Sequence, residues 1–180
     1  MNSKFLSFML LAVIALSSCE KYEISHYREL EKSKKSWNEF KATSNNSYRY
    51  TIVKSSWVGI SWNTTLTVYE GRVVERAFRF TAWDESLLAN IPAEDRSWIE
   101  KGNQVGIYAT SAAAPPYTMD QIYEQAKKDW LVKRKNRTVF FETYDNGLIS
   151  ICGYTNDQCI DDCFIGVHII DIEPVPLAQN

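Results

Sequence analysis

The amino-acid sequence predicts an α+β fold: an antiparallel sheet of about six strands in two meanders, with two main helices packed on one face. Three observations predict it. Between Arg137 and Ile172, Val139, Phe141 and Thr143 alternate with Phe140, Glu142 and Tyr144 until Asp145-Asn146-Gly147 breaks the run, and a β-branched stretch from Phe164 closes at Pro174. That reads as strand, tight turn, strand, loop and strand. A second set of alternating runs fills 48–80. Before and between these sets, apolar residues recur at three-to-four spacing over about 23–42 and 118–132, the stripe of a helix that covers a core.

The chain opens with MNSKFLSFMLLAVIALSSC, in which one lysine precedes an unbroken apolar stretch from Phe8 to Leu16 and small residues that end at a cysteine. This has the form of a secretory signal and is too short to span a bilayer. Leu16-Ser17-Ser18-Cys19 has the form of a bacterial lipobox, where cleavage precedes the cysteine and its thiol takes a diacylglycerol. Residues 1–18 are therefore expected to be a lipoprotein signal peptide, 19–36 a lipid-anchored tether running into the first helix, 37–174 a single α+β domain and 175–180 a tail. Each buried acyl CH₂ contributes about 0.8 kcal/mol, so several chains on Cys19 would hold the domain on a membrane. The expected location is the bacterial cell envelope, with Glu20 after the cysteine favouring the outer membrane over the inner.

Removing eighteen residues leaves 162, which suits one domain with a substantial core. The formal charge of −2 becomes about −3 once Lys4 is cleaved away, a balance that gives no grip on nucleic acid. Aromatic residues make up 13% of the chain, six of them tryptophans. Aromatic side chains serve both cores and recognition surfaces. Trp57, Trp62, Trp83 and Trp98 are the candidate recognition aromatics.

In chain order, Tyr27, Leu30, the stem of Lys34, Trp37 and Phe40 trace the first helical stripe. Lys32, Lys34 and Lys35 are flanked by Glu29, Glu31 and Glu39, which marks a solvated face rather than a headgroup patch. Tyr48, Tyr50 and Ile52 alternate, as do Trp62, Thr64, Leu66 and Val68, and Glu70-Gly71 turns the chain into Val73 to Phe80. From 81 to 117 the pattern dissolves. Pro92 suits the first turn of a short helix reaching about Lys101, Gln104 to Tyr108 reads as a brief strand, and SAAAPP imposes an extended approach to the next element. So long an irregular excursion is a functional candidate. Thr118 and Gln121 form a capping box ahead of Met119, Ile122, Tyr123, Ala126 and Trp130, and Lys127, Lys128, Lys133 and Arg134 suit that helix's C-terminal dipole.

Thiols of an exported domain tend to oxidise, and Cys152, Cys159 and Cys163 allow three single pairings. Simple alternation places Ile149 and Ile151 toward the core, Cys152 away from it, and Cys163 on the parity of Ile165, Val167 and Ile169. The favoured bond is Cys152 to Cys159, leaving Cys163 as a buried thiol; Cys159 to Cys163 would close a tighter loop. Asn156, Asp157, Asp161 and Asp162 lack the spacing of a calcium loop, so no metal is expected. His26 and His168 have no nucleophile beside them, and the pairs Asp84-Glu85 and Glu94-Asp95 belong to polar turns. No catalytic residue and no cofactor are expected.

Trp37, Tyr48-Arg49-Tyr50, Val68-Tyr69-Glu70-Gly71-Arg72-Val73, Thr118 opening a helix, Tyr144-Asp145 followed by Gly147, and Asp161-Asp162 resemble the motifs of an uncharacterised family of bacterial secreted proteins and lipoproteins. The resemblance covers about Trp37 to Ile172, although Gly147-Leu148-Ile149 stands where that family has Gly-Tyr-Pro. It implies export and an α+β architecture, and no activity. The layout is similar to that of cystatin-like and β-lactamase-inhibitor-like domains. The expected function is that of a non-enzymatic envelope lipoprotein, held to the membrane through Cys19, that binds an envelope protein or a saccharide through its open sheet face or the 81–117 excursion. The alternative is an envelope hydrolase whose site is assembled only in three dimensions.

Overall fold

The alternating runs become strands that share one buried face. The computed structural model describes residues 23–82, 84–108, 112–161 and 163–176. Among the described residues, seven strands form one antiparallel sheet: β1 (Tyr48–Ser55), β2 (Ile60–Tyr69), β3 (Arg72–Ala82), β4 (Ser97–Lys101), β5 (Arg137–Thr143), β6 (Ile149–Asn156) and β7 (Ile165–Pro174). Their order is β4-β3-β2-β1-β7-β6-β5, so each meander is built from neighbours in sequence and the two join where β1 pairs with β7.

The α+β class and the antiparallel sheet are those predicted; the strand count is seven rather than six. The extra strand lies where a helix from Pro92 to about Lys101 was expected. That helix lasts one turn, Ala93–Arg96, without a side-chain cap. Ser97–Lys101 instead pairs along β3, where Trp98 and Glu100 face Phe78 and Arg76. The brief strand expected at Gln104 to Tyr108 is also absent. A 3₁₀ turn, Gly102–Gln104, leads into a loop whose Gly106 and Tyr108 N–H groups donate to the Glu100 carboxylate, not to a neighbouring strand.

Helix α1 (Tyr27–Thr43) buries Leu30, Ser33 and Trp37. It begins at Tyr27 and not at Glu23, because Ile24 bridges to Val132 and His26 takes a left-handed conformation. Helix α2 (Met119–Gln125) starts at the Thr118–Gln121 capping box and passes into a π-helical turn, Ala126–Trp130. Both helices pack onto Tyr48, Tyr50, Leu66, Val68, Val167 and Ile169 in a single core. Tyr123 and Trp130, expected on the core stripe, are 4% and 8% exposed.

The two helices are also clamped by charge. Asp120 accepts from Lys34 and Lys41 Nζ and from Trp37 Nε1, each at 2.9 Å. Partial burial raises the Asp120 pKa, but these three donors overcome it and hold the carboxyl at about 2. A depressed carboxyl stabilises the fold above its unfolded-state value of 3.8 and loses that contribution as pH falls toward 2. With the side chain 38% exposed, solvent screening reduces the effect to about 1 kcal/mol. Melting temperature measured between pH 5 and 2 should therefore fall less for Asp120→Asn than for the wild type; parallel curves would show that the clamp carries no linkage.

The expected disulfide is corrected by a β-bulge. Glu142 pairs with Ile151 and Thr143 with Ile149, so Ser150 is the extra residue and the alternation reverses beyond it. Cys152 is turned into the core, fully buried and unpaired, and burial pushes its thiol pKa up. The bond joins Cys159 to Cys163 across the loop between β6 and β7, so Cys163 is not the buried thiol. Of Cys152, Cys159 and Cys163, a thiol reagent should label none in the native, unreduced protein and Cys152 alone after unfolding. A linked peptide containing Cys152 would overturn this pairing.

Candidate functional site

The 81–117 excursion wraps the outer half of the sheet on both faces. On the helix side its fastening point is a buried ion pair. Cross-strand partners Arg76 and Glu100 are 2% and 1% exposed, and meet in two parallel bonds, Nε to Oε2 at 2.7 Å and Nη2 to Oε1 at 3.0 Å. Arg76 also donates to the carbonyls of Ala114 (3.1 Å) and Tyr108 (3.3 Å), while Glu100 accepts the Gly106 and Tyr108 N–H groups at 2.7 Å. Burial disfavours the Glu100 charge, yet Arg76 and the two backbone donors more than compensate, and its pKa lies below the usual range. Thr64 Oγ1 accepts the Ala114 N–H and Trp62 Nε1 donates to the Ala112 carbonyl, each at 2.9 Å. Side chains of the adjacent strands β2, β3 and β4 thus hold the backbone of a strap that includes Gly106, Tyr108, Ala112 and Ala114.

A row of rings runs beside the ion pair. Trp62 meets Phe80 at 5.8 Å between centroids, Phe80 meets Phe78 at 4.8 Å, Phe78 meets Trp98 at 5.2 Å, and Trp98 stacks on Tyr108 at 4.7 Å. The register, with Trp62 opposite Phe80 and Phe78 opposite Trp98, produces the row. Of the four candidate tryptophans, Trp62 and Trp98 are thus brought together, half-buried and holding the strap. Trp57 is at the tip of the β1–β2 hairpin, 75% exposed. Trp83 lies outside the described residues, as do Cys19 and Asp162.

On the opposite sheet face, register aligns Asn63, Arg79 and Ser97 in one cross-strand row and Thr65, Ala77 and Ile99 in the next. Residues 84–96 arch over them. The arch starts where the Asp84 carboxylate accepts the Ser86 N–H at 2.9 Å, and ends where Arg96 Nε donates to the Ile91 carbonyl at 2.8 Å. Between arch and sheet lies a cleft of about 880 Å³, with Leu88, Ala93 and Glu85 in its wall. Its floor offers an amide, two hydroxyls and a guanidinium within two rows of a rigid sheet, and Phe78, Phe80, Trp98, Leu88 and Ile99 supply apolar lining. That set can hydrogen-bond and orient a ligand. Glu85 is the one carboxylate in the lining, which holds no histidine and no cysteine, so no acid–base pair meets there.

The remaining sequence candidates lie elsewhere. His26 stacks on Phe141 at 6.2 Å, and His168 is exposed on β7. Asp157 accepts from Thr138 at 3.1 Å. Among the described residues no three His, Cys, Asp or Glu side chains are grouped to hold a metal ion, and no helix is long and apolar enough to cross a membrane. Asn63, Thr65, Arg79 and Ser97 were not singled out from the sequence. The signal they carry is weak: polar residues at the non-core positions of strands, as in any half-solvated sheet. The chain matches no family model, no curated protein and no solved structure.

Proposed function

We propose that the chain is a lipid-anchored protein of the bacterial cell envelope that binds a saccharide in the cleft beneath residues 84–96, without catalytic turnover. The observation that carries this reading is the cleft itself. About 880 Å³ lies within the range of ligand pockets, and its floor of Asn63, Thr65, Arg79 and Ser97 supplies donors and acceptors matched to hydroxyl-rich ligands. Two helices over one sheet face, the general layout of cystatin-like and β-lactamase-inhibitor-like domains, leave the other face to a partner. The resemblance to an uncharacterised secreted family adds export and no ligand. A protein partner is the second reading, favoured by edge strand β4, where Ile99 is 59% exposed.

Two measurements test the proposal. Cys19→Ala should move the protein from the detergent phase to the soluble fraction with its melt unchanged; equal partitioning of both forms would remove the lipid anchor. Titration of the protein with envelope glycan fragments, followed by amide chemical shifts, should perturb Asn63, Arg79 and Ser97, and the exposed Arg79→Ala should weaken binding at least tenfold without lowering stability. Shifts confined to other surfaces, or none with any glycan, would remove the cleft.

A further inference from the structure

The antiparallel registers gather several chain segments at one end of the sheet. The end of β1 pairs with the start of β2 (Ser55 with Ser61), and the start of β2 with the end of β3 (Ile60 with Ala82). The start of β7 likewise pairs beside the end of β6 (Ile165 with Tyr154), and the end of β6 with the start of β5 (Asn156 with Arg137). The β1–β2 hairpin tip, the disulfide-closed β6–β7 loop and the entry to β5 therefore share this end. The two most exposed large apolar side chains among the described residues are found here, Ile160 at 92% and Trp57 at 75%, with Val58 at 43% beside the latter. The Cys159–Cys163 bond holds Ile160 out on a short closed loop. At the other end, the turns Glu70-Gly71 and Asp145–Gly147 are polar.

The N-terminal segment is fastened at the same end. The Lys133 N–H donates to the Glu23 carbonyl and the Ser25 N–H to the Leu131 carbonyl, each at 2.8 Å, and Lys133 lies just ahead of Arg137, where β5 begins. Cys19 is four residues before Glu23. At about 3.3–3.6 Å per residue, four residues reach no more than about 14 Å, whatever their conformation. An acyl group on Cys19 would thus hold this end, and not the polar one, near the membrane surface.

We infer that this end of the sheet lies against the lipid surface that anchors Cys19, with Trp57 and Ile160 entering its interfacial layer; the inference rests on the lipidation reading. Tryptophan suits that layer because its large ring is amphipathic and favours the boundary between apolar chains and headgroups. Charge does not drive the contact, since Lys54 and Lys135 are interspersed with Asp157 and Asp161 at this end. The docking is apolar and weak alone, and is made effective by the anchor's proximity.

The experiment uses the full chain matured and acylated in a bacterial envelope, then reconstituted into phosphatidylethanolamine–phosphatidylglycerol vesicles with acyl chains brominated near the headgroup. Bromine should quench tryptophan emission, and Trp57→Phe should remove at least half of that quenching, whereas Trp62→Phe should leave it. Adding Ile160→Trp to the Trp57→Phe protein should restore it. Vesicle-bound protein that is not quenched, or quenching indifferent to Trp57, would overturn the docking while leaving the anchor intact. Mature protein without acyl mass on Cys19 that stays off the vesicles would overturn the anchor reading and the docking with it.

Discussion

Arg76→Met is expected to lower the unfolding free energy by about 3–5 kcal/mol, because it leaves the Glu100 carboxylate buried without its counter-charge. The guanidinium makes two bonds to Glu100 and one to each of the strap carbonyls of Tyr108 and Ala114, so its loss also takes a donor from the buried Ala114 carbonyl and leaves the Glu100 carboxylate held by the Gly106 and Tyr108 N–H groups alone. Arg76→Met with Glu100→Leu should recover much of the loss, since an apolar pair of similar volume needs no counter-charge. Urea titration of the two variants decides the matter. Equal destabilisation by the single and double changes would mean that the strap hydrogen bonds, rather than the unpaired charge, dominate.

Trp37→Ala should cost a further class of interaction, about 3–5 kcal/mol for a fully buried indole. Its ring lies 5.0 Å from Tyr48, 5.8 Å from Phe40 and 6.4 Å from Tyr123, and its Nε1 is one of the three donors on Asp120. Trp37→Phe keeps most of the ring packing and removes the donor, so its cost should be well under half that of the alanine change. Thermal unfolding of both variants checks this. A phenylalanine variant as unstable as the alanine one would place the stabilisation in the Asp120 bond and not in packing.

Much of the helical layer was legible because its signals are local. The spacing of Leu30 and Trp37, and of Met119, Ile122 and Tyr123, follows from helix geometry alone, and the Thr118 cap marks its own start. Strands β1 to β3 were legible for the same reason, through strict alternation. What failed depends on partners far away in sequence. Ser97–Lys101 is a strand only because β3 offers Arg76 to Glu100 and Phe78 to Trp98, and nothing within those five residues declares it. The parity of Cys152 was misread because one bulged residue, Ser150, reverses every later side chain in the strand. The cleft was invisible from the sequence because it is a product of register: Asn63, Arg79 and Ser97 become neighbours only across three strands.

The seam between β1 and β7 also sets an order in time. Tyr48 faces Pro174 and Ile52 faces Ile169, so the first strand made must wait for the last. Ribosomes add about 5–20 residues each second, and a nascent chain folds what it already has. The β1–β2–β3 and β5–β6 hairpins can close on local contacts as they emerge, but the middle of the sheet cannot. Until β7 arrives, one edge of β1 stays unpaired beside the apolar side chains of Tyr48, Tyr50 and Ile52. Pairings this distant in sequence slow folding relative to local ones. A sheet whose two halves join only through β7 stays divided until that strand has been made.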